Sequence, residues 1–224
     1  MAAFEAAIRL GYRYLETDVH ATSDGELVAF HDNSLDRVTD RTGPIARLPY
    51  REVAKARIGG REPIPLLEDL LGAWPDARFN IDVKVAGAIA PLVRVIRRTN
   101  ALDRVCVGAF ADARIAAVRA ELGPRLCTAL GPRGVARLRA SSYLRRVRWR
   151  PTAACAQVPI RYGAMPVTDR AFLATAHRLG LDVHVWTIDN AAQMRRLLEL
   201  GVDGIMTDEI QTLRDVLVER NQWH

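Results

Sequence analysis

Four times along this chain a Leu-Gly pair closes one hydrophobic pattern and opens another: Leu10-Gly11, Leu122-Gly123, Leu179-Gly180 and Leu200-Gly201. Before each pair the pattern is helix-like, and after it comes a short apolar strand-like run. Glycine suits the left-handed position that stops a helix. A chain that repeats helix, glycine stop and strand has few folds open to it. With no linker between the units, it predicts one α/β domain over 1–224 with a parallel sheet.

The short runs rich in Val and Ile predict strands over 14–19, 27–31, 79–84, 105–110, 126–130, 154–160, 183–188 and 204–208. Most are continuously apolar, as strands buried on both faces are. Helices are predicted between most of them, over 2–10, 51–57, 66–73, 88–99, 112–122, 170–179 and 191–200. Asn190 is placed to cap the last of these, with Met194, Leu197 and Leu198 on one face. A doubly wound sheet would be favoured by a G-x-G-x-x-G after a strand, and none is present. Polar residues gather instead at the C-terminal ends of several strands, where the active sites of (β/α)8 barrels sit. A barrel typically takes about 250 residues; this chain has 224.

At 49% apolar and 26% charged residues the composition is that of a globular protein, not a disordered one. Three cysteines, Cys106, Cys127 and Cys155, point to reduced thiols rather than a disulfide scaffold. No apolar run reaches bilayer length, and the start carries no basic leader pattern, so the expectation is a cytoplasmic chain. Lys55 and Lys84 are the two lysines against 30 arginines. From Leu122 to Thr168 nine arginines face no acid, so that segment carries +9 and the rest −3 of a net +6. Its run Arg145-Arg146-Val147-Arg148-Trp149-Arg150 reads either as a solvated face or as a contact for anionic headgroups, through the arginine-rich 133–150 segment. No zinc-finger spacing or aromatic-glycine motif supports a nucleic-acid partner.

The chemistry lies at strand ends. In Tyr14-Leu15-Glu16-Thr17-Asp18-Val19, side-chain alternation puts Glu16 and Asp18 on one face. Two carboxylates there repel, and a hard divalent cation, Mg2+ or Ca2+, would resolve the cost; salt bridges to arginines would also serve. The turn Ser23-Asp24-Gly25-Glu26 makes a hairpin that returns His31 toward both acids. A histidine there can move a proton near neutral pH. In Phe79-Asn80-Ile81-Asp82-Val83-Lys84, Asp82 and Lys84 share a face. Asp82 would complete a three-carboxylate metal site, and Lys84 would stabilise a phosphoryl oxygen, or the two form a simple ion pair. Trp186 either walls a substrate pocket or packs in the core. His20, His177, His184 and His224 show no ligand spacing. Together these residues suggest metal-assisted attack on a phosphoester.

At these residues the sequence resembles the glycerophosphodiester phosphodiesterase family. The match runs through Leu15-Glu16-Thr17-Asp18-Val19, Asp24-Gly25, the string His31-Asp32-Asn33-Ser34-Leu35-Asp36-Arg37-Val38-Thr39, and Gly43. It continues through residues 64–68, 80–84, 185–189 and 201–208, nearly the whole chain in order. The resemblance implies a TIM-type (β/α)8 barrel with a hairpin excursion carrying His31, and a phosphoric diester hydrolase. It implies hydrolysis of glycerophosphodiesters to glycerol 3-phosphate and an alcohol with one divalent cation. Glu16, Asp18 and Asp82 would then hold the metal, His31 would be an acid/base group, and Lys84 would lie near the phosphate. Asp82 stands where the family usually has glutamate. The family begins with a strand ending His-Arg-Gly and a Glu-Asn-Thr loop, whereas this chain begins inside the helix that follows. On that reading the first strand and a second acid/base histidine are missing, activity is low, and open sheet edges favour a homo-oligomer. An inactive headgroup-binding relative and a lyase forming cyclic phosphate are the alternative functions.

Overall fold

The computed structural model describes residues 1–144 and 149–223. Two compact units are distinguished, Met1–Cys127 and Thr128–His224. The first opens with α1 (Ala2–Leu10), then β1 (Tyr14–Ala21) and β2 (Leu27–Ala29). The excursion that follows contains α2 (Tyr50–Val53) and the small antiparallel pair β3 (Arg57–Ile58) and β4 (Glu62–Pro63). After α3 (Leu67–Ala73) the chain alternates β5 (Arg78–Val83), α4 (Ile89–Arg98), β6 (Val105–Gly108), α5 (Asp112–Leu122) and β7 (Cys127–Thr128). The sheet order is β2-β1-β5-β6-β7, with β1, β5 and β6 parallel and β2 antiparallel to β1.

The two faces of this sheet differ in kind. Leu15, Val19, Phe79, Ile81, Val83, Val105 and Val107 are buried on one face, each contributing roughly 1.5–3 kcal/mol relative to exposure. Helix α4 supplies buried Leu92, Val93, Val95 and Ile96, and carries Pro91 in its first turn, where a missing N–H costs nothing. The alternate residues Glu16, Asp18, His20, Asn80 and Asp82 occupy the opposite face.

The second unit holds α6 (Pro132–Ser141), β8 (Cys155–Val158), the hairpin β9 (Arg161–Tyr162) and β10 (Met165–Pro166), α7 (Arg170–Arg178), β11 (Asp182–Val185), α8 (Ala191–Leu200), β12 (Gly204–Ile205) and α9 (Ile210–Glu219). Its three-stranded sheet runs β12-β11-β8, all parallel. Asn190 caps α8 by accepting from the backbone N–H of Ala192 at 3.0 Å and Gln193 at 3.1 Å. Two of the four glycine stops behave as their sequence predicts, Gly11 and Gly201 ending α1 and α8 with φ of 99° in the left-handed region; Gly123 ends α5 with ψ of 179°, outside that region, and α7 closes on Leu179, one residue before Gly180.

Some boundaries differ from expectation. Helices α6 and α9 were not predicted. In α6 the buried apolar stripe is thin, so arginines dominate the pattern. The helix predicted over 51–57 stops at Val53, because Arg57 and Ile58 turn back at Gly59-Gly60 to pair with Pro63 and Glu62. The strand predicted over 27–31 ends at Ala29, so His31 stands beyond it in the loop. The strand predicted over 126–130 is confined to Cys127–Thr128. Residues 145–148 of the basic run lie outside the described residues. No helix among the described residues is long and apolar enough to cross a membrane.

Candidate active site

Strands β1 and β5 are in parallel register with Glu16 opposite Asn80 and Asp18 opposite Asp82. Asp18 and Asp82 are therefore neighbours on adjacent strands, about 4.8 Å apart by strand spacing. Two carboxylates so placed repel each other, and burial makes the repulsion worse. Lys84 answers it. Its ammonium Nζ lies 2.8 Å from Asp18 Oδ1 and 2.8 Å from Asp82 Oδ2. It lies 5.7 Å from the ring centre of Phe110, whose side chain is otherwise exposed at the end of β6.

The charges respond accordingly. Burial pushes the Asp18 carboxyl above its ordinary value, against the lowering effect of Lys84. Burial also disfavours the Lys84 charge, but its bonds to Asp18 and Asp82 outweigh that, and its pKa is raised. Asp82 Oδ1 is buried without a hydrogen-bond partner. A buried oxygen left over from an ion pair is costly unless something donates to it or binds it.

The hairpin brings His31 to this end of the strands. Val19 pairs Ala29, His20 pairs Val28 and Ala21 pairs Leu27. Beyond the pairing, Phe30 N donates to Asp18 O at 2.9 Å. The turn is set by Asp24, which accepts from Thr22 Oγ1 at 2.6 Å and from Tyr50 N at 2.9 Å. That ties the hairpin tip to the start of α2. Next in the chain, the His31 carbonyl meets His20 Nε2 at 3.1 Å. A carbonyl only accepts, so His20 carries its proton on Nε2. Burial lowers the His20 pKa, which favours the neutral ring this bond uses.

The structure thus gathers Asp18, Asp82, Lys84 and Phe110, and returns His31 next to Asp18 along the backbone. Glu16 lies on the same face one pair earlier, and is exposed. Trp186 stands just after β11 in the second unit, half-buried, with its backbone N–H on Val158 O at 3.2 Å. His20 and Phe110 were missed as site residues. The alternation that links Glu16 to Asp18 also reaches His20, which was the signal available for it. His177, which shows no ligand spacing in the sequence, pairs with Asp203 at 2.8 Å in the second unit.

A hard divalent cation is tested by the donors themselves. Glu16, Asp18 and Asp82 offer the oxygen ligands such an ion takes, and Asp82 Oδ1 has no competing hydrogen bond. With Lys84 between two of them, no three acids, histidines or cysteines converge as a metal cluster among the described residues. The donor oxygens suit such an ion in chemistry, and Lys84 pairs with two of the acids.

Comparison with known proteins places this geometry. The model of the glycerophosphoryl diester phosphodiesterase family matches residues 1–212. The curated "Probable glycerophosphodiester phosphodiesterase 2" of Mycobacterium tuberculosis is 42% identical over 100% of this chain and 86% of its own. A glycerophosphoryl diester phosphodiesterase structure from Silicibacter pomeroyi superposes with a TM-score of 0.79 at 22% identity, covering 99% of this chain and 88% of that one. An Oleispira antarctica phosphodiesterase solved with sn-glycerol-3-phosphate gives 0.79 at 20% identity, covering 97% and 89%. The shared fold is the TIM-type (β/α)8 class that the alternation of elements predicts. A family match over nearly the whole chain, and a 42% identical relative, settle the assignment: this chain belongs to the glycerophosphoryl diester phosphodiesterase family of phosphoric diester hydrolases.

Proposed function

We propose that the chain hydrolyses glycerophosphodiesters to glycerol 3-phosphate and an alcohol, and does so with a divalent cation. The observation that carries this is Lys84 clasped by in-register Asp18 and Asp82, with His31 delivered beside them by the hairpin. A phosphodiester carries one negative charge and gains charge on its equatorial oxygens during attack. Lys84 supplies a fixed positive charge for those oxygens at the end of a parallel strand. Glu16, Asp18 and Asp82 would hold Mg2+ or Ca2+; when bound, the ion polarises the phosphoryl oxygen and favours deprotonation of the attacking group. His31, on an exposed loop, gives or takes the proton at the leaving or attacking oxygen.

The test is turnover of glycerophosphocholine with Mg2+ or Ca2+ against EDTA, read as glycerol 3-phosphate. His31→Ala is expected to lower kcat by about 10² to 10⁴. Equal rates with EDTA would remove the metal from the reading, and equal rates in His31→Ala would remove the proton role. Accumulation of a cyclic phosphate would move the reaction to the lyase class.

A further inference from the structure

His31 is held by a device that extends beyond the residues assigned above. Its Nδ1 lies 2.7 Å from Asp32 Oδ1. Arg37 grips the same carboxylate with two bonds, Nε to Oδ2 at 2.6 Å and Nη2 to Oδ1 at 3.0 Å. This is the bidentate fork that lysine cannot reproduce. Arg37, and after it His31, hold the Asp32 carboxyl down at about 2, so it is ionised at any working pH. An ionised carboxylate is an acceptor only. Nδ1 of His31 must therefore be the donor, and in the neutral ring the lone pair is left on Nε2. Nε2 makes no hydrogen bond among the described residues.

The loop beneath is built to keep this order. Asn33 O accepts from Ile45 N at 3.0 Å, and Leu35 N donates to Gly43 O at 3.1 Å. Gly43 N donates to Asp36 Oδ1 at 3.1 Å, and Ser34 also bonds Asp36. Leu35 is 1% exposed and anchors the loop in a cluster with Val28, Phe30, Ile45, Val53, Ala56 and Ile64. Below it, His20 fixes the His31 carbonyl at 3.1 Å. The backbone and the ring of His31 are thus fixed by separate contacts. An exposed ion pair adds little stability, so stability gives no reason for a bidentate clamp on a loop. Orientation gives one.

We propose that Asp32, clamped by Arg37, is a positioning residue that fixes His31 as the Nδ1–H tautomer and presents Nε2 as the proton-transfer atom. This rests on the reading of His31 as an acid/base group, and its primary test is independent of turnover. Protein labelled with 15N-histidine is examined by long-range 1H–15N NMR at about pH 9, above the ordinary imidazole range. The His31 signals are those lost in His31→Ala. Native protein is expected to show the proton on Nδ1. In Asp32→Ala the proton is expected to move largely to Nε2, the tautomer favoured by a free histidine side chain. Asp32→Asn, whose amide oxygen still accepts from Nδ1, is expected to retain the native tautomer.

With glycerophosphocholine, Asp32→Ala is expected to lower kcat by about 10- to 100-fold, with KM within about 3-fold of native. Asp32→Asn is expected to recover most of that loss, and Arg37→Lys to fall between. A His31 that keeps its Nδ1–H tautomer in Asp32→Ala overturns the clamp. A changed tautomer with kcat unchanged overturns the positioning role. If His31→Ala itself turns over at the native rate, the catalytic reading of His31 has failed, while the tautomer result still decides the clamp. Arg37→Met provides the second variant should Asp32→Ala not fold; it is expected to blur the tautomer preference, and an unaltered preference with unaltered kcat counts against the proposal.

Discussion

Lys84 shows how much one residue can carry. Its ammonium lies 2.8 Å from two carboxylates that strand register forces together. Replacing it with methionine keeps the apolar stem and removes the charge. Asp18 and Asp82 then remain adjacent and uncompensated, with side chains 13% and 12% exposed. Breaking one partner of a buried pair costs on the order of 3–5 kcal/mol, and partial exposure here favours about 3. Urea denaturation at neutral pH should show that loss for Lys84→Met, and a loss under about 1 kcal/mol would mean the acids are relieved some other way. Asp32 gives a pH-dependent counterpart. Its pKa is depressed, so its contribution is present above the ordinary carboxylate range and is lost as pH falls through about 2. Amide protection in the 31–45 loop, taken relative to the intrinsic exchange rate at each pH, should fall modestly between about pH 4 and pH 2, and Asp32→Ala should remove that dependence. Neither arrangement was fully legible beforehand. Alternation showed that Asp82 and Lys84 share a face, but only interstrand register puts Asp18 beside Asp82, and register is a tertiary fact.

The hairpin and the loop that follows form the element on which the site depends. Strand β2 is only three residues long, yet Leu27 and Val28 are wholly buried and Ala29 nearly so. From there the chain leaves the sheet and folds over its own small core, with Leu35 at the centre. Leu35→Ala should cost about 2–5 kcal/mol, the range for an emptied leucine site, whereas Leu35→Met should cost under about 1.5. Because that core carries His31 and Asp32, kcat should fall in Leu35→Ala even at temperatures where the protein stays folded. Thermal melts and assays of the same samples separate the two effects. The turn at Asp24-Gly25 was readable because its residue types have direct conformational causes. The end of β2 at Ala29 was not, because Phe30 continues the apolar run and its N–H still meets Asp18 O in register; the chain leaves the ladder only at His31, whose carbonyl goes to the His20 ring. Helix α6 was hidden for a different reason: arginines crowd its sequence, and its buried side chains include Arg139 itself, which pairs with Asp169 at 2.8 Å.

Across the whole molecule, the fold class was legible because the αβ repeat is local. Each helix carries its own period and each glycine stop its own cause, as Gly11 and Gly201 show. Charge is the other whole-chain property, and it is unevenly placed. The net charge is +6, while residues 122–168 carry nine arginines and no acid. Among the described residues of that stretch, Arg137 is exposed and stacks on Trp149 at 5.1 Å, and Tyr143 and Leu144 of the same segment are exposed. Arginine with exposed aromatic and aliphatic groups is the composition that adsorbs to anionic lipid surfaces. The chain should therefore sediment with vesicles containing phosphatidylserine but not with pure phosphatidylcholine. Each basic group near such a surface is worth about 1 kcal/mol, and the attraction decays within a Debye length, about 10 Å at 0.1 M salt. Binding should accordingly fall steeply between 0.05 and 0.5 M NaCl, to be read in roughly tenfold steps of the partition coefficient. Arg133→Gln with Arg137→Gln should lower it about 30-fold while leaving turnover of water-soluble glycerophosphocholine unchanged. Binding that persists in high salt would assign the contact to apolar insertion, and equal binding to neutral vesicles would show that the uneven charge has no part in it.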